Sequence, residues 1–241
     1  MEVGKSVILS YRGKEEAETA ERLAKLLGFG FTTCVPKSAD VLIRFGSSAW
    51  VPFTPRVELN TRQAITNAAD KLLGLQILQK ANIPTLRFSH EPPCIGRSRE
   101  HSGGSGLWLC LSKADIRNAS LEGAIYFVAF IPSIAEFRVH VVRGKGIVMQ
   151  QRCPPVSFAS PLDRWIRSPW ELNRVDFTQA HPAVELSVRA VKELTLDFGA
   201  ADVIRGEDEE YLILEVNTAP GLDKDGPAER AYVKAFQGIL K

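Results

Sequence analysis

Two apolar runs near the carboxyl end, joined by a short polar segment, constrain the fold of this chain more than any other feature. The first run covers residues 198–204, and the second covers residues 212–221, which read LILEVNTAPG. The segment between them, 205–210, is polar and contains a glycine, as turns between paired strands usually do. The pattern therefore predicts an antiparallel hairpin in this part of the chain.

The predicted hairpin collects oxygen-bearing side chains on one face. Because strand side chains alternate between two faces, Glu215 and Asn217 are expected to point one way and Leu214 and Val216 the other. Pairing of the two runs brings Asp202 beside Glu215 and Asn217. Two carboxylates and an amide oxygen suit a hard cation such as Mg²⁺, although an edge hairpin with merely solvated acidic residues has the same spacing.

The amino-acid sequence of this segment resembles a known signature. The residues DVI at 202–204 and EVNTAPGL at 215–222 are similar to the metal-binding signature of ATP-grasp ligases. The resemblance implies that Asp202, Glu215 and Asn217 hold Mg²⁺, or Mn²⁺ in its place, against the triphosphate of ATP. It also implies a fold of mixed α/β and α+β class with three parts: a small α/β amino-terminal unit (1–83), a β-rich lid (84–131) and a larger α+β domain with the metal site (132–241).

The periodicity of the first eighty residues agrees with that arrangement. Residues 6–11 form a short apolar run, residues 14–27 show helical spacing, and residues 40–45 form a second apolar run. This order of strand, helix and strand predicts a small α/β unit with a parallel sheet. Helical spacing returns from Thr61 to Ala81 and predicts one long helix, which ends before the proline that follows.

A glycine-rich segment lies between two further strand-like runs at 92–98 and 107–112. Residues 101–106 read HSGGSG, and no Gly-Lys-Ser/Thr follows, so the segment is not a P-loop. Glycines let backbone N–H groups approach phosphate oxygens closely, but the same composition also suits a flexible hairpin tip. The resemblance to ATP-grasp ligases implies the phosphate-covering role for four residues: Ser102, Gly103, Gly104 and Gly106.

Four more residues are assigned to the nucleotide by the resemblance alone. Lys71 matches a nucleotide-contacting lysine of the family, and Arg97 stands where the family usually carries a phosphate-binding lysine. Phe130 and Ile131 fall in an apolar segment that matches the hinge whose backbone reads the adenine edge. The residues themselves are also consistent with a surface lysine on a helix and with an ordinary core strand.

The segment EFRVHVV alternates polar and apolar residues, so that Glu136, Arg138 and His140 share one face of a strand. Burial of three ionisable side chains without partners would be costly, and an open cleft is therefore predicted around them. The segment resembles a strand of the ribosomal-protein glutamate ligases in which an arginine faces the transferred phosphate. That resemblance implies catalytic roles for Arg138 and Arg152 and a substrate contact for Asn173.

One position departs from a group within this family. The D-alanine–D-alanine ligases carry EANTSPG, which resembles EVNTAPG of this chain, but they have an arginine where this chain has Ala200. A dipeptide ligase of that kind is therefore disfavoured.

Composition and charge narrow the class of protein. Hydrophobic residues make up 45% and charged residues 24% of the chain, as in ordinary globular proteins, and no run is long and apolar enough to span a membrane. The four cysteines are widely spaced and no secretory signal is visible, so a cytoplasmic protein without disulfides is expected. Residues 136–174 are moderately basic and residues 175–241 are acidic, which suits an anionic, magnesium-bound ligand and also a nucleic-acid surface.

These expectations combine into one functional prediction. The chain is predicted to be an ATP-dependent carboxylate–amine ligase that forms an amide or peptide bond through an acyl phosphate. Its partners would be ATP, a carboxylate substrate and an amine acceptor, either a small molecule or a peptide or protein, and no membrane. A phosphotransferase on the same scaffold and a non-catalytic nucleic-acid-binding module are the alternatives, of which the nucleic-acid role is the less favoured.

Overall fold

The computed structural model describes residues 6–11, 13–99, 106–153 and 171–239. Its strands form three sheets, which follow one another along the chain within residues 6–59, 94–129 and 133–217, and helices cover them. The fold is therefore a mixture of α/β and α+β, as the sequence predicts. In the parts of the chain that the structure describes, no helix is both long enough and apolar enough to cross a membrane.

The amino-terminal sheet is parallel, with strand order β2-β1-β3-β4. Its elements are β1 (Ser6–Ser10), α1 (Lys14–Leu27), β2 (Gly30–Thr32), β3 (Val41–Phe45) and β4 (Val57–Leu59). Helix α1 buries Ala20, Leu23 and Ala24 on one face and ends at Gly28 in the left-handed conformation. The predicted parallel α/β unit is confirmed.

The predicted single helix over residues 61–81 is wrong, because the structure has two helices there. They are α2 (Arg62–Ala69) and α3 (Lys71–Lys80), and Asp70 separates them with an extended backbone conformation. The Asp70 carboxylate accepts a hydrogen bond from the backbone N–H of Leu73 at 3.0 Å and so caps α3. A short polar side chain that can bind the backbone favours a cap over a helix interior, and the apolar periodicity does not register this.

Helices α2 and α3 pack against the carboxyl-terminal sheet rather than the amino-terminal one. Ala64, Ile65 and Ala68 of α2 and Leu78 of α3 are buried in one cluster with residues of the large sheet, such as Val216. The two helices thus belong by packing to the largest core, although they precede the lid in sequence. A domain boundary at residue 83 stays a prediction.

The lid is a three-stranded antiparallel sheet with order β6-β5-β7 and one helix. Its elements are β5 (Cys94–Arg97), β6 (Leu107–Cys110), α4 (Lys113–Leu121) and β7 (Tyr126–Ala129). The two predicted strands that flank the glycine-rich segment are confirmed. Ser102, Gly103 and Gly104 lie outside the described residues, whereas Gly106 is described and accepts a hydrogen bond from the Ser98 N–H at 3.0 Å.

The largest sheet is antiparallel, with order β10-β9-β8-β11-β12. Its strands and helices are β8 (Ser133–Val142), β9 (Lys145–Cys153), β10 (Glu171–Val175), α5 (Pro182–Glu193), β11 (Phe198–Gly206), β12 (Tyr211–Asn217) and α6 (Pro227–Ile239). One face packs on α5, α2 and α3. The other face packs partly on α6 and the amino-terminal unit, through a cluster that includes Phe45, Phe198 and Tyr232.

A bulge in the β11–β12 pair changes the predicted alternation of side chains. Asp202 pairs with Glu215, but the next residue, Val203, pairs with Ile213, so Leu214 has no partner on β11. Leu214 consequently packs into the cluster beneath the lid, whereas Val216 lies in the core of the large sheet. The expectation that these two apolar residues share a face is therefore wrong, because a bulge shifts the period of two by one residue.

Gly46 brings the amino-terminal sheet against the loop that follows β12. This residue has φ +76°, and a Cβ added to it would lie 2.7 Å from the Cβ of Ala219. Both the backbone conformation and the close approach therefore require glycine. The contact fixes the segment after Asn217 at the carboxyl end of β3.

Replacement of Gly46 by alanine should lower the free energy of unfolding by roughly 1–3 kcal/mol, because a side chain is disfavoured at this φ and would collide with Ala219. Chemical denaturation measures the change. Gly238→Ala is the matched control: Gly238 lies in α6 with open space around its Cα, so alanine should stabilise the chain by about 0.5 kcal/mol. Equal effects of the two substitutions would contradict this account.

Candidate functional site

The β11–β12 hairpin brings the three predicted oxygen ligands together. Asp202 lies opposite Glu215, and Ala200 lies opposite Asn217. The Asn217 amide donates to Asp202 Oδ2 at 3.3 Å and to Glu215 Oε1 at 3.1 Å. The three side chains therefore converge on one point of the sheet face, where Asp202 is 4% exposed.

Two cations from other parts of the chain contact these carboxylates. Arg138, opposite Asp202 on β8, forms a two-pronged pair with it, with Nε 2.7 Å from Oδ1 and Nη2 2.8 Å from Oδ2. Lys71 Nζ lies 3.2 Å from Glu215 Oε2 and 3.4 Å from Asn217 Oδ1. The Asp202 charge raises the pKa of Arg138 further above its ordinary range, so the guanidinium stays protonated.

The donor chemistry of this cluster fits a hard divalent cation. Two carboxylates and one amide oxygen form an all-oxygen set, as Mg²⁺ and Mn²⁺ prefer, and leave other coordination positions for phosphate oxygens or water. The described residues contain no group of three or more His, Cys, Asp and Glu side chains that could hold a metal. The cluster itself has two carboxylates, from Asp202 and Glu215, and one amide, from Asn217. A cation held by these three side chains could also bind an anionic ligand.

Arg97 lies on the inner face of the lid, above an apolar wall. It is only 7% exposed, and no ion pair to a carboxylate involves it within the described ranges of the chain. The same face of the lid carries Ile95 and Val128, which pack with Leu75 of α3 and with Leu214 beside Glu215. This apolar wall thus lies next to a buried cation, Arg97.

The hinge residues lie at the same wall, but one of them does not offer its N–H group. Phe130 and Ile131 follow β7 and pack against the cluster beneath the lid. The Phe130 N–H already donates to the carbonyl of Pro93 at 3.1 Å. Reading of an adenine edge by the Phe130 N–H is therefore disfavoured, whereas the position of Ile131 is compatible with the prediction.

The other basic residues predicted from the sequence fall on two different faces. Arg152 lies opposite Glu136, with its Nη1 3.5 Å from Glu136 Oε2, on the face that also carries Arg138. Asn173 pairs with Gln151 and therefore lies on the opposite face of the sheet. The structure therefore does not bring Asn173 to the cluster. Its neighbour on β10, Arg174, lies on the sheet face that carries Arg138 and Arg152.

His140 is buried, so the predicted open cleft does not extend to it. The ring is fully inaccessible to solvent, and its Nε2 lies 3.0 Å from Gln150 Oε1, while Nδ1 lies 3.4 Å from the Tyr232 hydroxyl. Because an amide oxygen can only accept, Nε2 carries the proton. Burial lowers the pKa of His140 to about 4, and the nearby positive charge of Arg138 adds to this effect. His140 is thus a neutral structural residue under the site.

Three residues near the cluster are absent from the sequence-based assignment. Gln150 lies opposite Arg138, Arg174 lies opposite Gln150, and Tyr126 lies opposite Arg97. Alternation alone would have found Gln150, which is two residues from Arg152 on the same strand. The positions of Arg174 and Tyr126 depend on which strands are neighbours and in which register they pair. No local sequence pattern predicts strand order or register.

Solved structures with the same architecture define the class of the fold. D-alanine–D-alanine ligase from Bacillus anthracis superposes with a TM-score of 0.72 over 98% of this chain and 95% of its own, at 13% identity. The ATP-grasp ligase PsnB, complexed with a phosphomimetic variant of minimal precursor, Mg and ADP, superposes with a TM-score of 0.64 over 96% and 98%, also at 13% identity. This chain therefore has the ATP-grasp fold, as the sequence resemblance predicts.

Proteins related to this chain in sequence are named as glutamate ligases. The "Probable alpha-L-glutamate ligase" of Shewanella pealeana is 31% identical over 188 residues, which cover 68% of this chain and 40% of that protein. "Probable alpha-L-glutamate ligase 1" of Hahella chejuensis is 26% identical over 236 residues, which cover 88% and 75%. The chain spans about 40% of the length of the Shewanella relative. No protein-family model matches. The resemblance to small ATP-grasp carboxylate–amine ligases is nevertheless confirmed.

The buried neutral state of His140 predicts a pH-dependent stability. The unfolded chain binds a proton there near pH 6.5 and the folded chain only near pH 4, so stability falls as pH drops through this window. The His140→Gln variant lacks this group. Its deficit in unfolding free energy relative to wild type should therefore shrink by roughly 2 kcal/mol between pH 7 and pH 5.

Urea denaturation at both pH values measures the difference between the two proteins. His90→Gln, at an exposed position, is the control and should keep the wild-type pH dependence. A constant deficit for His140→Gln at pH 7 and pH 5 would show that His140 is not held neutral.

Proposed function

We propose that this chain is an ATP-dependent carboxylate–amine ligase that forms an amide or peptide bond through an acyl phosphate. The observation that carries the proposal is the convergence of Asp202, Glu215 and Asn217 with the cations Arg138 and Lys71 on one sheet face. Such a cluster of hard oxygens beside fixed positive charges suits a magnesium-bound polyphosphate. The glutamate-ligase relatives support ligation as the reaction.

The nucleotide is proposed to bind between the lid and the large sheet. Arg97, buried and without a carboxylate partner among the described residues, supplies positive charge for the phosphates, and Lys71 supplies more from α3. Gly106 ends the glycine-rich segment, and the phosphate-covering role of Ser102, Gly103 and Gly104 stays a prediction. The apolar wall beneath the lid would take the base.

A divalent cation would be held by Asp202, Glu215 and Asn217, where it would supply Lewis-acid screening of phosphate oxygens. The protein's own residues set the charge of this site. Arg138 orients Asp202 through two hydrogen bonds, and the Lys71 ammonium contacts Glu215 and Asn217. Lys71 can turn toward a phosphate when another cation offsets the Glu215 charge.

The proposed chemistry has two transfers. An oxygen of the substrate carboxylate attacks the γ-phosphorus of ATP, and the bond from that phosphorus to the bridging oxygen of ADP breaks. The amine then attacks the acyl carbon, loses a proton and expels phosphate, which leaves an amide, ADP and phosphate. Arg138 and Arg152 lie on one face of β8 and β9 and would stabilise negative charge that develops on the phosphoryl group.

The substrates are proposed by class. The named relatives favour an amino acid such as glutamate as one substrate, and a peptide acceptor is supported by PsnB, a protein of the same fold that was solved with a precursor peptide. The acceptor amine is accordingly placed on an amino acid, peptide or protein. A cytoplasmic location stays a prediction from the sequence.

The test is release of ADP that depends on both a carboxylate and an amine, with a panel of amino acids and peptides. Glu215→Gln removes one charged oxygen ligand without changing size, so kcat/KM should fall roughly 100-fold or more, with a raised magnesium requirement. Glu207→Gln changes an equivalent charge in the exposed turn before β12 and should retain wild-type activity.

Three outcomes would contradict this proposal. Equal turnover by wild type and Glu215→Gln would remove the metal assignment. A stable phosphorylated product formed without an amine would indicate the phosphotransferase. Tight nucleic-acid binding that falls steeply with salt and ignores Mg-ATP would indicate the non-catalytic module.

A further inference from the structure

Among the described residues of the lid, one buried hydroxyl group has no hydrogen-bond partner. Tyr126 at the start of β7 is 5% exposed, and its hydroxyl contacts no donor or acceptor in the described ranges of the chain. An unsatisfied buried polar group is destabilising, so native proteins rarely keep one without a reason.

Packing explains the ring of Tyr126 but not its hydroxyl. The ring belongs to the apolar cluster beneath the lid and meets Phe88 edge-on, with centroids 6.1 Å apart. A phenylalanine would supply the same contacts without the cost of the hydroxyl. The oxygen atom is therefore the feature that requires a function.

The position of Tyr126 places this oxygen beside Arg97. The two residues are directly opposite each other in the β5–β7 pair and hence on the same face of the lid. On that face the next pair is Ile95 with Val128, which packs against Leu214 of β12. Tyr126 and Arg97 thus lie at one end of the apolar wall, facing the large sheet.

The charges near Tyr126 agree with a protonated hydroxyl at this position. Burial raises the pKa of Tyr126 above its usual range; the positive charge of Arg97 opposes the shift, and the carboxylates of Glu215 and Asp70 add to it. The phenol therefore stays protonated at neutral pH and can donate. Arg97 and Glu215 are both close enough to Tyr126 to affect its pKa.

We infer that the Tyr126 hydroxyl donates a hydrogen bond to the phosphate chain of the bound nucleotide, beside Arg97. This assignment rests on the proposed function, which places that chain between the lid and Glu215. An anionic oxygen can accept from the Tyr126 hydroxyl and at the same time pair with the Arg97 guanidinium, which has no carboxylate partner among the described residues. Tyr126 is thus a further binding group for the nucleotide, contributed by the first residue of β7.

Tyr126→Phe separates binding from structure, because the two roles predict opposite results. If the hydroxyl serves the nucleotide, its removal should leave the Tm of the nucleotide-free protein unchanged or higher. Binding of ATP and ADP should weaken roughly tenfold, the effect of one hydrogen bond to a charged group. Adenosine, measured as a competitor, should bind both proteins equally, because it lacks phosphates.

Tyr232→Phe is the matched control. Tyr232 is also fully buried, but its hydroxyl lies 3.4 Å from His140 Nδ1 and from the carbonyl oxygen of Gly199. Removal of that hydroxyl should lower Tm and leave the affinity for ATP unchanged. The two substitutions delete the same atom, from a buried site with hydrogen-bond partners at Tyr232 and from one without any among the described residues at Tyr126.

Calorimetric titration and thermal unfolding together decide the assignment. Equal ATP affinity of Tyr126→Phe and wild type overturns it. A lower Tm with equal losses for ATP, ADP and adenosine also overturns it, because that result indicates a structural role. Failure of folded wild-type protein to bind ATP would instead remove the proposed function, and the Tyr126 assignment with it.

Discussion

The structure depends on holding two carboxylates together on one sheet face. Asp202 and Glu215 are directly opposite on paired strands, an arrangement that is destabilising for like charges unless cations offset it. Arg138 comes from β8 and Lys71 from the start of α3, and each binds one carboxylate. The order of the strands and the break at Asp70 therefore serve a common end, because they position both cations.

The sheet face that carries this cluster has an apolar part and a charged part. Toward α6 it buries Val142, Val148 and Phe198, and toward the lid it carries the ionic cluster. His140 lies at the border, neutral and hydrogen-bonded to Gln150 and Tyr232. A neutral polar residue there avoids a third positive charge next to Arg138, and so keeps the balance of the cluster.

The lid meets this face with a buried hydroxyl that has no hydrogen-bond partner, and a buried cation that has no carboxylate partner, within the described residues. Arg97 and Tyr126 are buried side by side, and the bulge at Leu214 extends an apolar residue toward them. Satisfied lid groups would gain little from a ligand, whereas unsatisfied ones gain the full strength of new hydrogen bonds. A hydrogen bond from the lid to an anion between lid and sheet would remove the cost of leaving the buried hydroxyl unsatisfied.

The sequence alone determined the hairpin and the convergence of Asp202, Glu215 and Asn217, because strand alternation and turn composition are properties of adjacent residues. The class of fold followed from the resemblance of the same segment to ATP-grasp ligases. The sequence did not determine the side of the sheet on which Asn173 lies, the break at Asp70, the burial of His140 or the pairing of Tyr126 with Arg97. These depend on strand order, register and packing between segments far apart in the chain. Only the tertiary structure fixes such contacts, since a one-residue shift in register would reverse the face of every side chain.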